Sequence, residues 1–353
     1  MSKFRTFLER KNVRPSAKLY FVDAMSTMAL GLFASLLIGT IFKTLGQYTH
    51  LQIFTDIAGY ATKATGAALG VAIAYALKAP TLVMLSAAVV GMIGNDLGTT
   101  IAAAGAEPLT VAAGPAGAFL ASVVAVELGK IVSKETHVDI LVTPVVTILS
   151  GALLAKLVCP AVACGMYYLG AFINAATEMQ PLLMGMLVSV VVGIILTLPI
   201  SSAAICAMIG ITGLAGGAAT AGCCAQMVGF AVISFRENRW GGLVAQGLGT
   251  SMLQMGNIVK NPRIWIPATL ASAITGPIST MVFKLQCTGV SAGMGTCGLV
   301  GPLGILADMG SSPRVWLGIG IVCIVLPAVL SLAFSELLRK LGWIRPGDLK
   351  LNL

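Results

Sequence analysis

Long apolar stretches separated by short polar ones run along the whole chain. They predict membrane segments at about 21–46, 53–77, 80–93, 109–132, 140–158, 181–208, 213–234, 240–259, 264–283 and 316–338. Most have about the 20 apolar residues that a helix needs to cross a bilayer. The strand-period alternation of an outer-membrane barrel is missing from the sequence. The pattern predicts an all-α polytopic membrane protein with about ten membrane segments. The half-apolar stretch 159–179 either spans the membrane or lies in its interface.

Two glycine-rich polar stretches interrupt this pattern, at 94–100 and 293–298. Glycine lets the backbone leave a helix, and non-helical backbone at membrane depth is tolerated only inside protein or against water. Both stretches are therefore predicted to be broken or re-entrant segments that line a polar cavity.

Short sequence matches relate the two parts of the chain. The Lys-x-Pro turn at 78–80 recurs at 260–262, and Gly-Pro-x-Gly at 114–117 recurs at 301–304, with offsets of 182 and 187. Matches in the same order at similar offsets favour an inverted repeat of the kind found in transporters, although chance matches are the alternative.

The predicted domain organisation follows from this repeat. A basic N-terminal segment (1–20) precedes a first membrane half (21–180), a second membrane half (181–338) and a C-terminal tail (339–353). The two halves are expected to be pseudo-symmetric.

Composition narrows the function classes. Of 353 residues, 57% are hydrophobic and only 10% are charged, against about 25% charged in soluble domains. This excludes a soluble enzyme, a nucleic-acid-binding domain and a disordered regulator. The net charge of +9 lies mostly at the ends, with +5 in the first eighteen residues and +2 in the last eighteen. Basic flanks stay in the cytoplasm, so we expect a multi-pass protein of the inner (plasma) membrane with both termini cytoplasmic and no nucleic-acid partner.

Polar side chains at membrane depth are candidates for a binding site, because burying them in lipid is costly. The candidates for solute binding are Asn95, Asp96, Thr99, Gln226, Gln254, Asn257 and Thr296. Their amides and hydroxyls both donate and accept hydrogen bonds, which suits a small neutral solute such as a sugar. The alternative is that such residues only pack helices closely.

The predicted site lies where the 94–100 and 293–298 stretches meet. Gln254 and Asn257 would complete its wall, and in a continuous helix Gln246, Thr250 and Gln254 would share one face. Asp96 or Glu107 is a candidate proton carrier. The eight cysteines lie in apolar segments without a metal-ligand spacing, so neither a metal site nor a cofactor is expected.

Five stretches (197–204, 226–238, 246–252, 261–265 and 293–296) resemble the phosphotransferase-system IIC-like membrane proteins, a family that includes a proposed toxin-gene regulator. The resemblance implies a permease-like fold and sugar uptake. The sequence carries no IIA or IIB module, so phosphotransfer would need a separate IIB partner and the chain is not expected to be an enzyme on its own. The alternative function is a membrane sensor that regulates gene expression through a cytoplasmic partner. The expected partners are the solute and the lipid bilayer, and a homodimer is one possible assembly.

Overall fold

The computed structural model describes residues 3–13, 16–101, 109–177 and 179–351. Glu107, a candidate proton carrier, lies outside them. The helices among the described residues are α1 Lys3–Arg10, α2 Met25–Leu32, α3 Ile38–Thr49, α4 Gln52–Lys63, α5 Thr65–Ala76, α6 Thr81–Asp96, α7 Gly114–Val132, α8 Asp139–Thr177, α9 Pro181–Thr197, α10 Ser202–Met208, α11 Gly213–Ile233, α12 Phe235–Val244, α13 Met255–Lys260, α14 Ile266–Pro277, α15 Gly289–Ala292, α16 Val300–Met309, α17 Pro313–Gly318 and α18 Leu326–Lys340.

Short turns of other helix types join several of these helices. The π-helical turns are Leu19–Ala24, Phe33–Leu37, Ala245–Gly249, Ile278–Phe283 and Ile319–Val325, and the 3₁₀ turns are Ser251–Gln254, Pro262–Trp265 and Cys297–Leu299.

The all-α polytopic prediction is confirmed. Within the described residues, six helical stretches are long and apolar enough to cross a membrane: Leu19–Lys43, Gly114–Val132, Asp139–Thr177, Gly213–Ile233, Pro262–Phe283 and Pro313–Lys340. The α4–α5 pair, bent by 49°, makes a seventh if it counts as one span. Three shorter apolar helices lie at Thr81–Asp96, Pro181–Thr197 and Cys297–Met309. The expected number of about ten segments stays a prediction.

Helix α8 runs through the stretch that the sequence left open. It has 39 residues, which corresponds to a length of about 58 Å at 1.5 Å per residue. That is almost twice the roughly 30 Å of a bilayer's hydrocarbon core. Residues 159–177 therefore continue the preceding helix and do not form a separate element.

The predicted span at 240–259 is wrong as a continuous helix. Arg239 leaves helical geometry inside α12 (φ 52°, ψ −149°). The chain then makes a π-helical turn, becomes extended at Thr250 (φ −157°, ψ 141°) and resumes as a 3₁₀ turn. Hydropathy alone cannot reveal this change from α-helical to π-helical, extended and 3₁₀ geometry, because the segment stays mostly apolar throughout.

One pair of short strands departs from the helical pattern. Strand β1 (Gly98–Ile101) pairs antiparallel with β2 (Leu109–Ala112), with Gly98 opposite Ala112. A side chain at Gly98 would overlap the backbone of β2, so this position requires glycine. The break predicted at 94–100 is present, and its non-helical part is this hairpin.

The chain divides into two compact units. The first comprises Met1–Leu36 and Gly59–Met166. Its helices α5, α6 and α7 pack against one another, and a side chain at Gly70 or Gly91 would overlap the backbone of the facing helix. Such close approach is how membrane helices gain van der Waals contact.

The second unit comprises Leu37–Ala58 and Tyr167–Leu353. Helices α9, α11, α14 and α18 form its centre. Helix α11 is buried along almost its whole length. In this unit, the interruptions of α-helical structure at 245–254 and 293–299 contact α11.

Candidate functional site

The first-unit candidates sit at the end of a helix. Helix α6 ends at Asp96, and Leu97 is already extended (φ −71°, ψ 135°). The Asn95 amide donates to the Asp96 carboxylate at 2.8 Å. Asp96 is exposed, whereas Asn95 and Thr99 are half-buried. The three residues therefore gather at the junction between α6 and β1.

The second-unit candidates lie among three interruptions of helical structure around α11. The first separates α9 from α10, the second is 245–254, and the third is 293–299. The second and third interruptions contact each other and α11. Ser202, just after the first, donates to the Gly293 carbonyl at 2.7 Å in the third. Backbone polar groups in an apolar environment need hydrogen-bond partners within the protein. The non-α-helical segments here supply such partners to one another.

Gln226 is the centre of a buried polar group in this region. The side-chain amide oxygen of Gln226 accepts hydrogen bonds from the Trp265 indole at 3.0 Å and from the Thr197 hydroxyl at 3.4 Å. Its amide nitrogen donates to Thr269 at 3.2 Å. Thr197 also shares a hydrogen bond of 2.8 Å with Ser251. We call these five residues the Gln226 cluster.

The Gln226 cluster draws on four elements. Thr197 ends α9, and Gln226 lies in α11. Ser251 opens the 3₁₀ turn inside the second break, and Trp265 and Thr269 lie in the first part of the Pro262–Phe283 span. Gln226, Thr197 and Ser251 are fully buried. None of the five carries a formal charge, so the cluster offers hydroxyls, an amide and an indole in a neutral setting.

Thr296 joins two of the breaks. Its hydroxyl donates to the Gly247 carbonyl at 2.5 Å and lies 3.6 Å from the Met227 sulfur. Gly295 and Gly298 on either side have left-handed backbone conformations (φ 56° and 52°), which glycine adopts at little cost. Those glycines turn the chain so that Thr296 faces the second break.

Gln254 and Asn257 bind the C-terminal tail. The Gln254 amide donates to Gln246 at 2.9 Å and to the Leu349 carbonyl at 3.0 Å. The Asn257 amide donates to Gln254 at 2.8 Å and to the Lys350 carbonyl at 2.9 Å. Gln246 in turn donates to Ser234 at 2.8 Å.

Apolar burial holds the same tail. Leu349 and Ile344 are buried in a core cluster with Phe230, Ile264 and Leu338. The tail segment 343–351, which we call the strap, is therefore packed as well as hydrogen-bonded. The hydropathy pattern predicted a separate tail at residues 339–353, because it does not show that backbone carbonyls there accept hydrogen bonds from buried side-chain amides.

A charged pair borders the strap. Arg339 and Glu237 lie 3.2 Å apart, and both side chains are mostly buried. Glu237 also accepts from the Gly347 backbone at 3.4 Å. This pair joins the start of α12 to the end of α18 and to the strap.

The structure adds residues to the sequence-predicted set and separates that set into groups. Thr197, Trp265 and Thr269 were not candidates, although Thr197 and Trp265 lie inside stretches that carried the family resemblance. Gln226 joins these three residues and, through Thr197, Ser251, whereas Gln254 and Asn257 join the strap. The predicted meeting of 94–100 with 293–298, and the binding role of each candidate, stay predictions.

A comparison with known protein families finds a match for this chain. A family model described as "Phosphotransferase system, EIIC" matches residues 22–351, nearly the whole chain. A comparison with curated proteins finds no significant match.

Proposed function

The chain belongs to the phosphotransferase system EIIC family, and we propose that it is a permease for a small, neutral, polyhydroxylated solute such as a sugar. It would act in the inner (plasma) membrane with both termini in the cytoplasm. Phosphorylation of the solute would be carried out by a separate IIB-type protein, so the chain would not be an enzyme by itself.

The Gln226 cluster carries this proposal. Its members hydrogen-bond one another through groups that also match the donors and acceptors of a sugar hydroxyl. Trp265 adds an aromatic ring that is only half-buried, and an aromatic face combines an apolar surface with a polar edge. On binding, the hydroxyls of the solute would replace some of these internal hydrogen bonds. Each hydrogen bond to the solute would contribute about 0.5–1.5 kcal/mol to the free energy of binding.

The three interruptions of helical structure also support a permease. A transporter needs backbone that can change conformation without exposing polar groups to lipid. The pair formed by Thr296 and the Gly247 carbonyl joins two such segments through a single hydrogen bond. We propose that solute binding at the Gln226 cluster and rearrangement at this pair are coupled, with Thr296 contacting the solute.

The test is solute binding and uptake by the protein in liposomes, with a panel of sugars and polyols. Gln226→Leu removes the central amide, and we expect it to weaken binding of the solute about tenfold or more, since two or more hydrogen bonds are lost. Gln180→Leu, at an exposed glutamine before α9, is the matched control and should bind normally. If no sugar or polyol binds the wild-type protein, the sugar-permease proposal is wrong.

A membrane sensor is the second candidate function, and the strap favours it. Leu349 and Lys350 bond directly to Gln254 and Asn257, which offers a route from membrane-embedded segments to the end of the chain. A sensor would bind the solute without moving it, and cross-linking would recover a cytoplasmic partner. Flux of the bound solute across proteoliposomes would favour the permease over the sensor.

A further inference from the structure

A basic pocket lies in the first unit, and none of its lining residues is among those proposed for solute binding. Its volume is about 350 Å³, and it is lined by Arg10, Lys11, Lys78, Lys130, Lys134 and Glu135, among others. Five cationic side chains and one carboxylate therefore face a single concavity.

The pocket forms where three helices end. Helices α1, α5 and α7 are each followed by a residue in the left-handed conformation, at Asn12 (φ 56°), Lys78 (φ 51°) and Lys134 (φ 61°). Helix C-termini carry partial negative charge. Lys130, which is fully buried, donates to the carbonyls of Asn12 at 2.9 Å and Leu77 at 3.1 Å.

Some of the positive charge is thus used within the protein. Lys130 also pairs with Glu127 at 3.0 Å. Arg10 and Lys11 both contact the same oxygen of Glu135, at 2.6 and 2.5 Å. Asp139 adds a third carboxylate, which accepts from the Lys134 backbone amide at 2.6 Å. Three carboxylates against five cations leave an excess of two positive charges.

Lys78 and Lys134 supply most of the unbalanced charge. Both are exposed, and among the described residues neither forms a salt bridge. The contact of Glu135 with two cations demonstrates that side chains here can converge on one oxyanion. A solvated basic face would spread its charges over a surface, whereas these line one cavity.

We propose that the basic pocket is a binding site for a phosphate group, carried either by a soluble phosphorylated molecule or by a phospholipid headgroup. Arg10 and Lys11 would turn from the Glu135 carboxylate to the phosphate, and Lys78 and Lys134 would close on it from the rim. Guanidinium and ammonium groups bind phosphate through short charge-assisted hydrogen bonds. The site does not depend on the proposed permease function.

The first test is titration with inorganic phosphate of the protein in phosphatidylcholine nanodiscs, followed by calorimetry. K78Q/K134Q should weaken binding about three- to tenfold, as expected for two partly screened charges. K63Q, at an exposed lysine elsewhere in the same unit, should bind as wild type. Because both replaced lysines are exposed and unpaired, the double variant should keep the wild-type melting temperature.

A gain of affinity is the sharper expectation. E135Q removes the internal competitor for Arg10 and Lys11, so phosphate should bind about threefold or more tightly. A purely structural role for these residues predicts the opposite, because E135Q then loses two ion pairs and gains nothing.

The second test distinguishes the two sources of phosphate. Native mass spectrometry of protein released from nanodiscs of mixed phosphatidylglycerol and phosphatidylcholine measures which lipid stays bound. Loss of retained phosphatidylglycerol in K78Q/K134Q assigns a lipid headgroup, whereas weaker inorganic phosphate binding with no retained phosphatidylglycerol in the wild type assigns a soluble ligand. The proposal is overturned if neither probe binds the wild type, if both bind the double variant unchanged, or if K63Q weakens them equally.

Discussion

Replacing Gln254 by leucine tests whether this buried amide holds the strap or binds the solute. Gln254 is fully buried, and leucine is similar in size, so the main change is the loss of hydrogen bonds. Three are lost: to Gln246 at 2.9 Å, to Leu349 at 3.0 Å and from Asn257 at 2.8 Å.

The expected magnitude follows from what the partners keep. The Leu349 carbonyl still accepts from Asn238 at 2.8 Å, and Asn257 still donates to Lys350 at 2.9 Å. Of these partners, only the side-chain oxygen of Gln246 loses the hydrogen bond that it accepts from Gln254 without keeping another one named here. Hydrogen bonds between membrane helices average about 0.6 kcal/mol. Of the three lost bonds only the one to Leu349 reaches the strap, so the strap should lose about 0.6 kcal/mol of stability.

Hydrogen–deuterium exchange of the peptide covering 343–351 measures this stability. A loss of about 0.6 kcal/mol should speed exchange about threefold, because each 1.4 kcal/mol changes the open fraction tenfold. Asn238 accepts from the Leu351 amide at 2.8 Å, which makes that amide a direct reporter of strap opening. Gln52→Leu, at an exposed glutamine with one side-chain bond to Asp56, is the control and should leave strap exchange unchanged.

The result that would refute this reasoning is unchanged strap exchange together with lost solute binding in Gln254→Leu. Gln254 would then act on the solute, as the sequence suggested, and its bond to the strap would contribute nothing measurable. Fast strap exchange with normal solute binding would support the structural role.

Three further outcomes are expected. Gly222→Ala should destabilise the protein by about 1–3 kcal/mol, because its Cβ would overlap a backbone carbonyl of α9. Gly247→Ala should be nearly neutral, since the nearest atom to its Cβ would be 3.5 Å away. Thermal melts in detergent compare the two variants. Glu237→Gln should cost about 3 kcal/mol in the same assay, because its mostly buried arginine partner loses its counter-charge. The Lys11 hydrogen bond, aided by nearby positive charge, lowers the pKa of Glu135 below its usual 4.5, against a smaller desolvation effect. The ionised Glu135 side chain therefore stabilises the folded protein above pH 4.5, and this stabilisation is lost only as the pH falls through the lowered pKa of the folded state. The melting temperatures of wild type and Glu135→Gln should converge only in that more acidic range.

Hydropathy alone predicted the membrane class and most helix positions. An apolar run of about 20 residues has few alternatives to a membrane helix, because lipid leaves no partner for its backbone outside the helix itself. The break after Gly94 could be predicted for the same reason, since glycine and polar residues together weaken a helix at that point. The hairpin that follows could not, because its register depends on contacts between residues eight to fourteen apart.

Residue type also identified Gln226 and Thr296 as candidates, since amides and hydroxyls in apolar segments are costly unless they are paired. Sequence could not say which partners they have. Gln226 and Trp265 are 39 positions apart, and Thr296 and Gly247 are 49 apart. Only packing of α11 against its neighbours brings such pairs within hydrogen-bonding distance.

What the sequence by itself determined is therefore the set of groups that must be buried: long apolar helices and a few polar side chains that need partners. Only the tertiary structure decided which groups are the hydrogen-bond partners of those side chains. The Gln254 and Asn257 amides bond to strap carbonyls more than 90 positions away, and Lys130 is enclosed by the ends of three helices. Hydrogen bonds act over about 3 Å, so their assignment depends on which distant segments the fold places in contact, and local pattern carries no record of that.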